Sequence, residues 1–112
     1  MSFRRIVLYG DYFNRFYGTQ STKTKLKFDY VLRLISDVEL IPEKFLKKLE
    51  GTQGLYEIRI KAGGNSYRIF CFFDEKRVIV LLNTFQKKSQ KTPKNEIVLA
   101  EQLRKHHFLE KR

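Results

Sequence analysis

The sequence contains one cysteine, Cys71, so it can form no internal disulfide and has no cysteine cluster for a metal. The residue sits inside Ile69-Phe70-Cys71-Phe72-Phe73, which predicts a small buried hydrophobe. Histidine is almost as scarce. His106 and His107 are adjacent, and neighbours on a helix point about 100° apart, which argues against a shared metal and for cations near a helix C-terminus. Acids are under-represented, 12 against 23 basic residues, for a net charge of +11. No apolar run approaches the roughly 20 residues needed to cross a bilayer. Ile6 to Tyr9, after Met1-Ser2-Phe3-Arg4-Arg5, is too short for a signal h-region, so no membrane partner and a cytoplasmic location are expected. A Gly-rich loop ending in Gly-Lys-Ser/Thr, a His-Glu-x-x-His pair and a Gly-x-Ser-x-Gly elbow are all missing.

What is present is core material. With 112 residues, 42% of them hydrophobic, ten Phe and six Tyr, the chain is expected to form one domain over residues 1–112. Disorder of the whole chain is excluded on the same grounds. The charge of +11 implies attraction to phosphate backbones, anionic membranes or an acidic protein, without choosing among them.

The order of elements follows from periodicity and punctuation. Phe3 to Tyr9 reads as a strand closed by Gly10. Asp11 stands as N-cap before a short helix whose Phe13, Phe16 and Tyr17 share a face, ending at Gly18. A second helix runs from Ser21 or Thr22 to about Val38. Leu26, Tyr30 and Leu34 form one row, with Val31, Ile35 and Val38 beside it, and Lys23, Lys27 and Arg33 lie outside. The two helices predict an antiparallel hairpin packed on one face of a sheet. After Pro42, residues Glu43 to Leu49 suggest a further helical turn presenting Phe45, Leu46 and Leu49.

Leu55 to Lys61 alternates, with Tyr56, Ile58 and Ile60 on one side and Leu55, Glu57, Arg59 and Lys61 on the other. Ala62-Gly63-Gly64-Asn65-Ser66 supplies a hairpin loop, and Tyr67 to Phe73 returns. Asp74-Glu75-Lys76 turns into Arg77 to Phe85, whose unbroken apolar stretch places it inside the sheet, covered on both faces. Thr92 as N-cap and Pro93 at the first position open a last helix through Ile97, Ala100 and Leu103. The fold class is α+β.

If paired positions of the hairpin sum to 127, Arg59 faces Arg68 and Lys61 faces Ser66. Like charges so placed repel unless an anion joins them. A slip of one residue disperses the cluster. Glu57 could equally pair with an arginine and leave the other cations solvated, so spacing alone leaves both readings open. Lys87, Lys88, Lys91 and Lys94 follow the strand ending at Phe85, with no acid between Glu75 and Glu96. An aromatic beside cations suits base stacking and phosphate contact, which points to nucleic-acid binding but not to catalysis.

These segments carry a resemblance. Gly54-Leu55-Tyr56-Glu57-Ile58-Arg59-Ile60, Tyr67-Arg68-Ile69-Phe70-Cys71-Phe72-Phe73 and Phe85-Gln86-Lys87-Lys88-Ser89-Gln90-Lys91-Thr92-Pro93 resemble the phage-derived Gp49-like, HigB-type branch of the RelE/ParE toxins. The resemblance implies a small twisted, mainly antiparallel sheet, with an N-terminal helical hairpin on one face and a C-terminal helix. It implies the toxin of a type II toxin–antitoxin pair, an endoribonuclease cutting mRNA on the ribosome without metal or cofactor. Its cognate antitoxin would carry a helix-turn-helix domain. In such enzymes the ribose 2′-OH attacks the adjacent phosphate and leaves a cyclic phosphate and a 5′-OH.

By the same resemblance the catalytic residues are Arg59, Lys61, Arg68 and Lys88. Arg68 and Lys88 would stabilise the phosphate, and Arg59 or Lys61 would manage the proton, a lysine pKa being lowered by its cationic neighbours. Phe85, Lys87, Lys91 and Lys94 would contact RNA, Phe85 by stacking or packing. Many RelE-type nucleases have a Tyr or His where this chain reads Lys91-Thr92-Pro93-Lys94, so no conventional general base is visible. ParE-like relatives poison gyrase instead, and a non-catalytic basic module is the alternative reading.

Overall fold

The computed structural model describes residues 2–111, so Met1 and Arg112, the ends of the expected 1–112 domain, lie outside the described residues. The chain forms β1 (Arg5–Leu8), α1 (Tyr12–Gly18), α2 (Thr22–Asp37), β2 (Leu46–Lys48), β3 (Tyr56–Ala62), β4 (Asn65–Glu75), β5 (Val78–Lys87) and α3 (Lys94–Glu110). One five-stranded sheet runs in the order β1-β5-β4-β3-β2. Only β1 is parallel to its neighbour, β5. The α+β class, mainly antiparallel sheet, N-terminal helices and terminal helix are all as expected.

The two faces of the sheet bury different sets. Phe13, Phe28, Val31, Ile35, Ile58, Ile60, Tyr67, Ile69, Cys71, Ile79 and Leu81 form the core beneath α1 and α2. Leu49, Leu55, Phe70, Phe72, Val80, Leu82 and Phe85 pack with Ala100 and Leu103 of α3 on the other. As the unbroken apolar run implied, β5 is interior and covered on both sides. Cys71 is fully buried in the first core, and burial pushes its thiol pKa up.

Several local expectations need correction. The buried stripe of α2 is Phe28, Val31 and Ile35, whereas Leu26 and Tyr30 of the row expected inside are 63% and 56% exposed. Phe28 decides the helix's rotation, because its ring packs among Phe13, Phe16, Tyr17 and Tyr67. The stretch expected to be a helical turn, Glu43 to Leu49, instead contains β2, paired antiparallel to β3 through Leu46–Ile58 and Lys48–Tyr56. Ladder bonds to an existing edge outweigh weak local helix propensity over so short a stretch. Pro93, not Thr92, is the N-cap of α3, and its carbonyl accepts from the Glu96 and Ile97 amides. α2 starts at Thr22, within the expected range, and Ser21 is its N-cap, accepting from the Thr24 amide.

Polar side chains fasten the helices to neighbouring elements. Arg4 is buried and donates to the Ile35, Val38 and Glu39 carbonyls, closing the C-terminus of α2. His107 and Lys111 both reach Asp74, at 3.0 and 2.8 Å, so His107 ties α3 to β4 in addition to standing near a helix end.

The central pairing of β4 with β5 is irregular. Ile69 faces Thr84 and Cys71 faces Leu81, so Phe70 stands against both Leu82 and Asn83. This bulge reverses the alternation of β5 beyond it. Val80, Leu82 and Phe85 therefore share a face. Asn83 itself donates to the Glu96 carbonyl and carboxylate, at 3.0 and 2.9 Å, and so anchors the first turn of α3.

Candidate active site

The β3–β4 hairpin turns tightly on Gly63 and Gly64, both at positive φ, which fixes its register. Arg59 lies directly opposite Arg68, and Lys61 opposite Ser66. Because of the bulge, Phe85 faces Arg68 and Lys87 faces Ser66 from the other side. On the outer flank, Lys47 of β2 stands opposite Glu57. Directly opposed residues share a face. Lys47, Glu57, Arg59, Lys61, Arg68 and Lys87 thus occupy one surface, beyond the part of that face covered by α3.

One acid serves this surface. Glu57 Oε2 accepts from Arg59 Nε at 3.1 Å, and Oε1 lies 3.5 Å from Arg68 Nε. The two readings of Glu57 therefore combine: the carboxylate pairs with the arginines, and cations still exceed acids. Arg68 Nη1 donates to the Tyr67 carbonyl at 3.0 Å. Glu57 Oε1 and Arg68 Nε are each buried without a hydrogen-bond partner. They face each other as an ion pair whose separation is too long for a good hydrogen bond. Burial, opposed by Glu57 and reinforced by Arg59, lowers the Arg68 pKa from its ordinary value.

Arg59, Lys61 and Arg68 line a cleft of about 480 Å³ with Lys27, Lys44 and Phe45. Lys87 is held below its ordinary pKa, first by burial and then by the charge of Arg68. Phe85, expected to stack or to pack, is largely buried against Phe70. It is 8% exposed and stands edge-on to Phe70, with 5.1 Å between centroids, as a floor beside Arg68. Lys88 and Lys91 on the connection from β5 to α3, and Lys94 at the start of α3, are exposed and outside the cleft lining. Ser89 donates to the Lys91 carbonyl and shapes that turn.

Lys27, Lys44 and Lys47 are additions that sequence reasoning does not place here. Lys47 is hidden because its strand reads as helical, and Lys27 because it comes from the opposite layer. Glu57 is legible by alternation on β3, but its position between two arginines depends on the register. Among the described residues, no three His, Cys, Asp or Glu side chains gather as metal ligands. No described helix is long and apolar enough to cross a membrane.

The arrangement can hold a doubly liganded oxyanion between two guanidinium forks, beside a carboxylate and a lysine. A family model for phage-derived protein Gp49-like (DUF891) matches residues 16–105, a span containing every residue of the cleft. No curated protein matches the chain.

Proposed function

The chain belongs to the phage-derived Gp49-like family, a RelE/HigB-like toxin family, and from that membership we propose that it is the toxin of a type II toxin–antitoxin pair that cleaves mRNA. The observation that carries the reading is the facing pair Arg59 and Arg68, joined by one buried carboxylate whose Oε1 lacks a hydrogen-bond partner. An RNA phosphate supplies a second anion to two guanidinium groups that share the one Glu57 carboxylate.

In the proposed reaction the 2′-oxygen bonds to phosphorus as the bond from phosphorus to O5′ breaks. Arg59 and Arg68 bind the phosphoryl oxygens and stabilise the charge of the phosphorane. Drawn onto the phosphate, they leave Glu57 Oε1 free to take the 2′-OH proton. We assign this role to Glu57 in preference to Arg59, because a guanidinium keeps its proton throughout the working pH range. Glu57 is also preferred to Lys61, which is exposed at the rim. Lys87, on the neighbouring strand, gives its proton to O5′. Lys61, Lys88, Lys91 and Lys94 hold flanking phosphates, and Phe85 supports Arg68 from below.

The same reading makes the substrate mRNA on the ribosome, in the cytoplasm, and the inhibitor a cognate antitoxin with a helix-turn-helix domain. The test is to add the purified chain to translating ribosomes and to free mRNA and to map new 5′-hydroxyl ends. Cuts are expected on ribosome-bound message and should fall roughly 100-fold with Arg68→Ala. Intact transcripts, with gyrase-dependent DNA breaks in their place, would overturn the proposal.

A further inference from the structure

Leu26 and Tyr30 leave large apolar areas on the outside of α2, where a helix packed on a sheet ordinarily turns polar residues to water. They are not isolated. A second concavity, lined by Lys23, Leu26, Lys27, Tyr30 and Lys61 beside the Gly63 turn, shares Lys27 and Lys61 with the cleft at Arg59 and Arg68. No carboxylate lines either concavity. The nearby acid Asp29 is occupied by the Tyr17 hydroxyl at 2.8 Å. β2 pairs with β3 only as far as Ile58, so the channel runs past an edge of β3 that no strand covers.

We propose that this channel carries single-stranded RNA leaving the scissile phosphate. Its phosphates lie on Lys27 and Lys23, and one base lies on Tyr30 and Leu26. The inference rests on the RNA-cleaving reading above and extends its substrate from one phosphodiester to a strand. An exposed leucine alone would suit any apolar partner. A tyrosine ring with the Lys27 ammonium 5.3 Å from its centroid, leading into paired arginines, matches the alternation of base and phosphate along a single strand. Charge complementarity runs the whole length of the path.

The experiment measures binding of fully 2′-O-methylated oligoadenosines, which lack the nucleophile, by fluorescence anisotropy over a range of salt. A trimer reaches only the arginine cleft, while an octamer also occupies the channel. The Lys23→Ala/Tyr30→Ala variant alters only exposed side chains, so its fold is retained. It should bind the octamer roughly tenfold more weakly, with a salt slope smaller by about 0.7, and bind the trimer as the unaltered chain does. Octamer binding unchanged in the variant, with Arg68→Ala weakening both oligomers, would overturn the channel alone and leave the patch to an acidic protein partner. If Arg68→Ala affects neither oligomer, the RNA reading fails with it.

Discussion

Glu57 and Arg68 meet across β3 and β4 with Oε1 and Nε 3.5 Å apart, while the other carboxylate oxygen takes Arg59 at 3.1 Å. A single acid therefore holds together two like charges that the hairpin register forces face to face. Glu57→Ala should lower stability by about 3 kcal/mol, because it leaves the buried Arg68 unpaired. In an Arg68→Ala background the same change should cost about 1–2 kcal/mol less. Urea unfolding of the four proteins measures this difference. Equal costs in both backgrounds would show that the two residues are not coupled.

Lys87 sets a limit on the alkaline side. Burial and the charge of Arg68 lower its pKa from 10.5, so fewer lysines are protonated at a given pH than in free solution. As the proton donor, Lys87 should support full cleavage at lower pH and lose it as pH rises through the lowered value. Lys87→Arg keeps the charge but cannot surrender a proton, so cleavage should fall roughly 100-fold across the pH range and the descending limb should vanish. A pH–rate profile with the same limb in the variant would assign it to another group.

Arg4 acts on stability alone. Its bonds to the last carbonyls of α2 replace water at a buried helix end. Arg4→Met should cost about 2 kcal/mol in thermal or urea unfolding, with phosphate affinity unchanged. Loss of RNA binding in a folded Arg4→Met protein would contradict this separation.

Asp74 gives the fold a predictable acid response. Hydrogen bonds from Lys111 and then His107 lower its pKa below 3.8. A carboxylate with a depressed folded pKa contributes stability above its unfolded pKa and loses it as pH falls through the folded value. Asp74→Asn should therefore reduce stability at pH 7 by about 1 kcal/mol and flatten the decline below pH 4. Unfolding curves at a series of pH values check both parts.

Much of this site is legible in the sequence, because β alternation and a two-glycine turn are local signals. Arg59 facing Arg68 follows from the turn at Gly63 and Gly64. Other features depend on distant partners. Leu46-Lys47-Lys48 forms a strand only because β3 offers an open edge, and nothing within three residues announces that. The rotation of α2 escapes sequence reasoning because apolar residues occur around much of its circumference, and the aromatic cluster around Phe28 selects the buried stripe. Charge alone places Lys87 on this surface, yet simple alternation from Val80 would turn it to the opposite face.

The extra residue at Leu82 and Asn83 makes that difference. Deleting Asn83 would remove that register shift, leaving the one between Phe73 and Glu75, and by the ordinary criteria of strand pairing the sheet would improve. The same deletion would carry Phe85 and Lys87 through to the side of the helical hairpin and break the tether from Asn83 to α3. Insertions and deletions in the exposed turns shift only the turns, whereas here a change of one residue exchanges inside for outside over the rest of the strand. Length, rather than residue identity, is therefore the property of β5 that is least free to drift.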